Sequence, residues 1–284
     1  MAVSPAENRA VRATPTRQRR FVGRFGAYLI ELWRRVALSV SVGLTALWRM
    51  LWLSTWRPTV RQEFVRHCWQ VGIKALPATV LTAFIIGFAL VFQLILFSRG
   101  EFGDAARALN LNVLVVLTLV REIAPLLVGL IVIGRSATVM ITELVDLRTG
   151  GQIHMLDAQG INTFDYLVVS RVAALTVCSF ALGVIFVFTT LFAGQIFTAV
   201  TGVFHRGLLE FMVKATSLLT PAEYLILPLK TFAIGLEIGV VACVTALRET
   251  AVGSDVRELV PLGYMRAVVA TLIISGAITA MVVS

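Results

Sequence analysis

The stretch LNVLVVLTLVREIAPLLVGLIVIG, residues 111–134, decides the fold. An α-helix of this length crosses the roughly 30 Å hydrocarbon core of a bilayer. Its only ionisable side chains are Arg121 and Glu122, near the middle. Charges at that depth are costly unless they face water, a partner or the protein interior. Pro125 has no N–H to give to the carbonyl four residues earlier, so the Arg121 carbonyl is freed from the helix ladder beside the two charges. The pattern predicts a kinked helix with a polar wall. An ion pair that merely staples helices together is the simpler alternative.

Working outward, comparable apolar runs fall at 73–97, with Pro77 in the opening turn, and at about 172–197, 224–247 and 265–284. Over all 284 residues, 58% are hydrophobic and 14% charged, with a mean hydropathy of +0.87, so the apolar surface is the outside. The prediction is an all-α integral membrane protein. It has an N-terminal interfacial amphipathic helix, about five transmembrane helices and a cytoplasmic coupling loop. Cys68, Cys178 and Cys243 are too scattered for a disulfide framework or a metal site. His67, His154 and His205 are isolated and read as exposed or capping residues, which argues against a metal-dependent or nucleophilic membrane enzyme.

The net charge of +9 is unevenly placed. Residues 1–66 hold twelve arginines, and with Arg135, Arg148, Arg171, Arg248, Arg257 and Arg266 one side of the membrane carries eighteen basic residues. The other side has Arg99, Arg107, Arg206 and Lys214. This positive-inside bias puts the N-terminus in the cytoplasm and the C-terminus on the far side. It fits anionic headgroups better than nucleic acid, for which no motif is present. Residues 1–20 read as a disordered basic cytoplasmic tail. Residues 21–70 read as an interfacial amphipathic region, with Trp33 within it and Trp48, Trp52 and Trp56 forming one stripe at headgroup depth. A further span at 36–53 is the alternative. Residues 71–284 form the transmembrane domain.

In the fourth span, Glu223, Lys230 and Glu237 recur every seven residues on one face. Lys230 with Glu122 and Glu237 with Arg121 are the expected pairings. Gly235 and Gly239 form a GxxxG, read as ordinary close helix packing. The connector at 135–171 has apolar residues at helical spacing. Ile141, Leu144 and Val145, then Ile153, Met155 and Leu156, would form ridges on two short helices around Gly150 and Gly151, leaving Glu143, Asp146 and Arg148 exposed. Such a loop either docks a partner or covers the helix ends.

The segments Arg121-Glu122-Ile123-Ala124-Pro125, Gly134-Arg135, Glu143-Leu144, Gln152-Ile153, Gly160 and Leu167-Val168-Val169-Ser170-Arg171 together resemble the MlaE/YrbE-type permeases of MCE-linked lipid transporters. The chain departs from that pattern at Val145-Asp146-Leu147, Gly150-Gly151, Ser170 and in the 248–264 loop. The resemblance implies a non-catalytic permease subunit of the bacterial inner membrane, usually a homodimer. Two ABC ATPase subunits would hold ATP and Mg, a periplasmic MCE-domain protein would be a partner, and phospholipid or a related lipid would be moved. It also implies a substrate pathway at Arg121, Glu122, Pro125, Lys230 and Glu237. ATPase contacts would fall at Arg135, Glu143, Arg148, Gln152 and Asp157. No cofactor or metal is expected in the chain itself, and no G-x-x-x-x-G-K-[ST] occurs in it. A proton- or ion-coupled carrier, with Arg121, Glu122, Lys230 and Glu237 as a relay, is the competing reading.

Overall fold

A computed structural model describes residues 17–52, 55–99, 117–200, 221–248 and 256–283. The chain divides into two compact units, Met1–Ser41 and Val42–Ser284. In the first, helix α1 (Arg17–Leu51) begins, with Glu31 and Arg35 paired at 3.2 Å one turn apart. Ile30, Trp33, Val36 and Val40 on it are exposed. The tail at 1–16 lies outside the described residues, whereas Arg17–Arg20, expected to be disordered, are helical.

The second unit is built from α2 (Pro58–Cys68), α3 (Lys74–Arg99), α4 (Ala124–Val132), α5 (Thr138–Thr149), α6 (Gln152–Ala158), α7 (Ser170–Val200), α8 (Pro221–Arg248) and α9 (Val256–Val283). Among the described residues all regular structure is helical. Among the described residues five continuous helices are long and apolar enough to cross a membrane: Pro58–Gln93, Leu119–Thr149, Phe164–Val200, Tyr224–Leu247 and Arg257–Met281. The fold is that of an all-α integral membrane protein.

Four of the joints are π-helical turns, at Trp69–Ile73, Leu119–Ile123, Ile133–Ala137 and Phe164–Val169. A π turn inserts one residue without ending the helix. That is why the spans outrun the apolar runs. The first starts at Pro58, which makes Pro77 an interior residue of α3 and not part of an opening turn. The second runs through Gly134-Arg135 to Thr149.

The loop expected at 135–171 is accordingly mostly helix. Ile141, Leu144 and Val145 are buried in the bundle core, so the first ridge is not a docking surface. The second ridge is more open, with Met155 67% exposed. Gly151 and Gly160, at φ 70° and 72°, flank α6 in a conformation that strains any residue with a Cβ.

α7 packs against both α3 and α8, and α8 also against α9. The GxxxG sets one of these contacts. A Cβ on Gly235 would lie 2.8 Å from the Leu175 carbonyl oxygen, and one on Gly239 would lie 2.9 Å from the Val172 Cα. Only glycine allows the two backbones this close.

The tryptophan stripe does not form. α1 ends at Leu51, and Arg57, with φ −61° and ψ 157°, is extended ahead of Pro58. Trp48 and Trp52 remain exposed with ring centroids 6.1 Å apart. Trp56 instead folds back: its indole N–H donates to the Met50 carbonyl at 3.0 Å, and its ring meets Phe64 edge-on at 5.0 Å. The Met50 carbonyl belongs to the last turn of α1, where intrahelical donors run out.

Candidate functional site

The Leu119–Ile123 π turn presents Arg121 and Glu122 together, and Ala124 N–H reaches back five residues to the Leu119 carbonyl. Pro125, buried in the next turn, cannot take the Arg121 carbonyl. Lys230 takes it. Its Nζ donates to Arg121 O at 2.8 Å, to Glu122 Oε1 at 2.8 Å and to Thr279 Oγ1 at 2.5 Å. An ammonium has three N–H donors, and here each has an acceptor. The Thr279 hydroxyl in turn donates to Glu122 Oε1 at 2.6 Å. Lys230 is fully buried, while the Glu122 side chain keeps 30% exposure, so the cluster opens on the carboxylate side.

Arg121 is left over. Its Nε and Nη2 are buried with no hydrogen-bond partner among the described residues. With Lys230 neutralised by Glu122, the guanidinium is a surplus positive charge with donors to spare, in a wall of spanning helices.

The structure does not bring Arg121 and Glu237 together. Seven residues separate Lys230 from Glu237, roughly 10 Å along the helix axis. At that level Glu237, 8% exposed, accepts a hydrogen bond from Thr271 at 2.9 Å through Oε2, and its Oε1 has no partner. The Glu223 side chain lies outside the described residues. Thr271 and Thr279 are not among the residues that the sequence singles out by charge or by a helix-breaking ring. The four-residue spacing of Thr271, Ser275 and Thr279, a polar line on an apolar span, was the available signal.

Residues 64–282 match the family described as permease MlaE. The chain belongs to that family. It is 29% identical over 141 residues, 49% of this chain and 53% of the relative, to a probable ABC transporter permease protein of Rickettsia prowazekii. It is 27% identical over 181 residues, 64% of this chain and 66% of the relative, to a probable ABC transporter permease protein of Pyropia yezoensis. The chloroplastic protein trigalactosyldiacylglycerol 1 of Arabidopsis thaliana is 25% identical over 143 residues, 50% of this chain and 38% of that protein. The chain spans about half the length of the first curated relatives it matches. Its five long apolar helices make this family member a multi-pass membrane protein.

The motif residues expected to meet an ATPase lie in different environments. Glu143 is half-buried, and its Oε1 accepts from Gln70 Nε2 at 2.7 Å, so it is already engaged. Arg135 is exposed and Arg148 half-buried. Gln152 and Asp157 are exposed on α6, with the Asp157 carboxylate accepting from the Thr163 hydroxyl. His67 is buried, contrary to the exposed role expected of it, while His154 is exposed and His205 lies outside the described residues. Most of the 248–264 loop also falls there or at the start of α9.

Proposed function

We propose that this chain is the membrane subunit of an ATP-driven transporter that moves phospholipid, or a related lipid, between the bacterial inner membrane and a periplasmic MCE-domain assembly. Two copies would work with two separate ATPase subunits holding ATP and Mg. The observation that carries the lipid reading is Arg121, with two buried nitrogens, Nε and Nη2, unpartnered among the described residues beside a saturated Lys230–Glu122 pair. A phosphate accepts from such a fork of donors, and the apolar helices around it suit acyl chains. The name of the chloroplast relative, a galactolipid, supports a lipid substrate.

The absence of a phosphate-binding loop from these 284 residues supports a separate ATPase. Exposed Gln152 and Asp157 on α6 offer that partner a surface, more so than Glu143. The basic bias supports a cytoplasmic N-terminus and a periplasmic C-terminus. Reconstitution of the purified complex in proteoliposomes tests the reading. ATP-dependent lipid transfer is expected to fall at least tenfold in Glu122→Ala and Lys230→Ala while the subunits still co-purify. Wild-type transfer in both variants removes the site, and flux driven by a proton gradient without ATPase favours the ion-coupled carrier.

A further inference from the structure

A second polar site lies at the other end of the bundle. Thirteen residues of continuous helix separate Glu122 from Arg135, roughly 20 Å. There a cavity of about 230 Å³ is formed where the Trp69–Ile73 and Ile133–Ala137 π turns meet α7. Its buried lining holds Arg171, Ser136 and His67, at 4%, 7% and 4% exposure. Among the described residues each has a buried polar atom without a hydrogen-bond partner: Arg171 Nε, Ser136 Oγ and His67 Nε2. Buried donors are rarely left open in a folded protein unless a water, ion or ligand takes them.

The charges are unbalanced as well. Lys74, Arg135 and Arg171 face a single lining carboxylate, Glu143, which is bonded to Gln70. Glu63, beyond His67, accepts from Tyr166 at 2.8 Å and Arg66 at 3.5 Å, and its 3.4 Å approach to His67 Nε2 lacks hydrogen-bond geometry. Arg171 makes no ion pair among the described residues and gives only Nη1, to the Leu167 carbonyl at 3.1 Å. Glu143 and Glu63 lie near Arg171 but neither is hydrogen-bonded to it, so the buried guanidinium keeps a donor that an anionic ligand can take.

We propose that this cavity binds the phosphate of a phosphate-bearing anion, with Arg171 and Ser136 as inner donors and Lys74 and Arg135 at the rim. The volume lies below the roughly 300–1,000 Å³ of sites that enclose a drug-sized molecule, so it takes a head and not a whole two-tailed lipid. The rim says where the remainder goes. Lys74 and Arg135 are exposed, and beside them Trp69, Ile73, Leu76 and Val139 present exposed apolar surface. Cations bordered by apolar side chains match a headgroup entering sideways while its chains stay in lipid. The site is distinct from the Arg121 cluster and does not depend on the transport reading.

Titration calorimetry on the purified full chain in phosphate-free detergent solution tests it. The probes are dihexanoyl phosphatidic acid, inorganic phosphate, and dihexanoylglycerol as the phosphate-free control. Saturable binding of phosphatidic acid is expected, weakened about tenfold by Lys74→Gln and by Arg135→Gln, the scale of one lost charged hydrogen bond. Arg171→Lys should weaken it further. Equal affinity for inorganic phosphate supports the site with a free anion as ligand, and binding of phosphatidic acid alone supports it with a lipid. Binding that survives all three variants, that is lost in Arg121→Gln instead, or that dihexanoylglycerol matches overturns the proposal, as does the absence of binding by any probe. Lys74 and Arg135 are exposed, so their variants keep the test open if Arg171→Lys does not fold.

Discussion

Lys230 and Arg171 are both cations buried in the same bundle, one toward each end, and they are satisfied to different degrees. Lys230 has one carboxylate, one hydroxyl and one backbone carbonyl for its three donors. Arg171 has five donors in a rigid plane, and the described residues give it a single intrahelical carbonyl. A compact ammonium on a flexible stem can be saturated by a hydroxyl and a proline-freed carbonyl. A planar guanidinium cannot be filled that way. The contrast separates a cation that holds helices together from one that still has donors to offer. Arg121 follows Arg171: it lies next to the saturated lysine yet keeps Nε and Nη2 open among the described residues.

The sharpest way to break this comparison is Lys230→Met. Removing one partner of a buried pair costs about 3–5 kcal/mol when both charges are dry. Because Glu122 keeps 30% exposure, the low end, about 3 kcal/mol, is expected from chemical unfolding in mixed micelles. The double variant Lys230→Met with Glu122→Gln should recover more than half of that loss, since no unpaired charge remains. A loss under about 1 kcal/mol for Lys230→Met alone would mean the ammonium is not held as the geometry implies.

A smaller effect is expected between the two ends. Thr271→Val takes from Glu237 its one hydrogen bond among the described residues, leaving both carboxyl oxygens without a partner there at 8% exposure. Stranding a buried acceptor costs about 1–3 kcal/mol, so a loss near 2 kcal/mol is expected by the same unfolding measurement. Glu237→Gln should change stability less than Thr271→Val does, because the amide keeps an oxygen for the Thr271 hydroxyl. The reverse order would show that Glu237 has a partner other than Thr271.

Arg121, Glu122, Pro125 and Lys230 were legible in the sequence for one reason: ionisable and helix-breaking residues stand out in apolar runs. The five-span fold followed from the same contrast. The burial of His67 and Arg171 was hidden because both lie where the apolar runs begin, and there composition fits a connector as well as a helix. π turns deepened the concealment by carrying helices through polar residues such as Arg135 and Ser136 without a cap or a break. The partners of Glu237 and Lys230 on α9 lie dozens of residues further along the chain. Only packing brings Thr271 and Thr279 to them.

The smallest expected effect concerns a pair at the Arg171 end of the bundle, Arg49 with Asp165 at 2.5 Å. Their side chains are 39% and 15% exposed, so water already screens the attraction. Arg49 also lies 5.6 Å from the centroid of the Phe164 ring, a contact that survives loss of the carboxylate. Asp165→Asn should therefore cost no more than about 1 kcal/mol, and the cost should shrink as salt is raised. Lys230→Met should show a weaker salt dependence, because the ammonium is fully buried and solvent ions reach the pair only through the Glu122 carboxylate. If the two variants lose similar stability with similar salt profiles, then Lys230 is as wet as Arg49, and the contrast between a dry, saturated cation and a screened one fails.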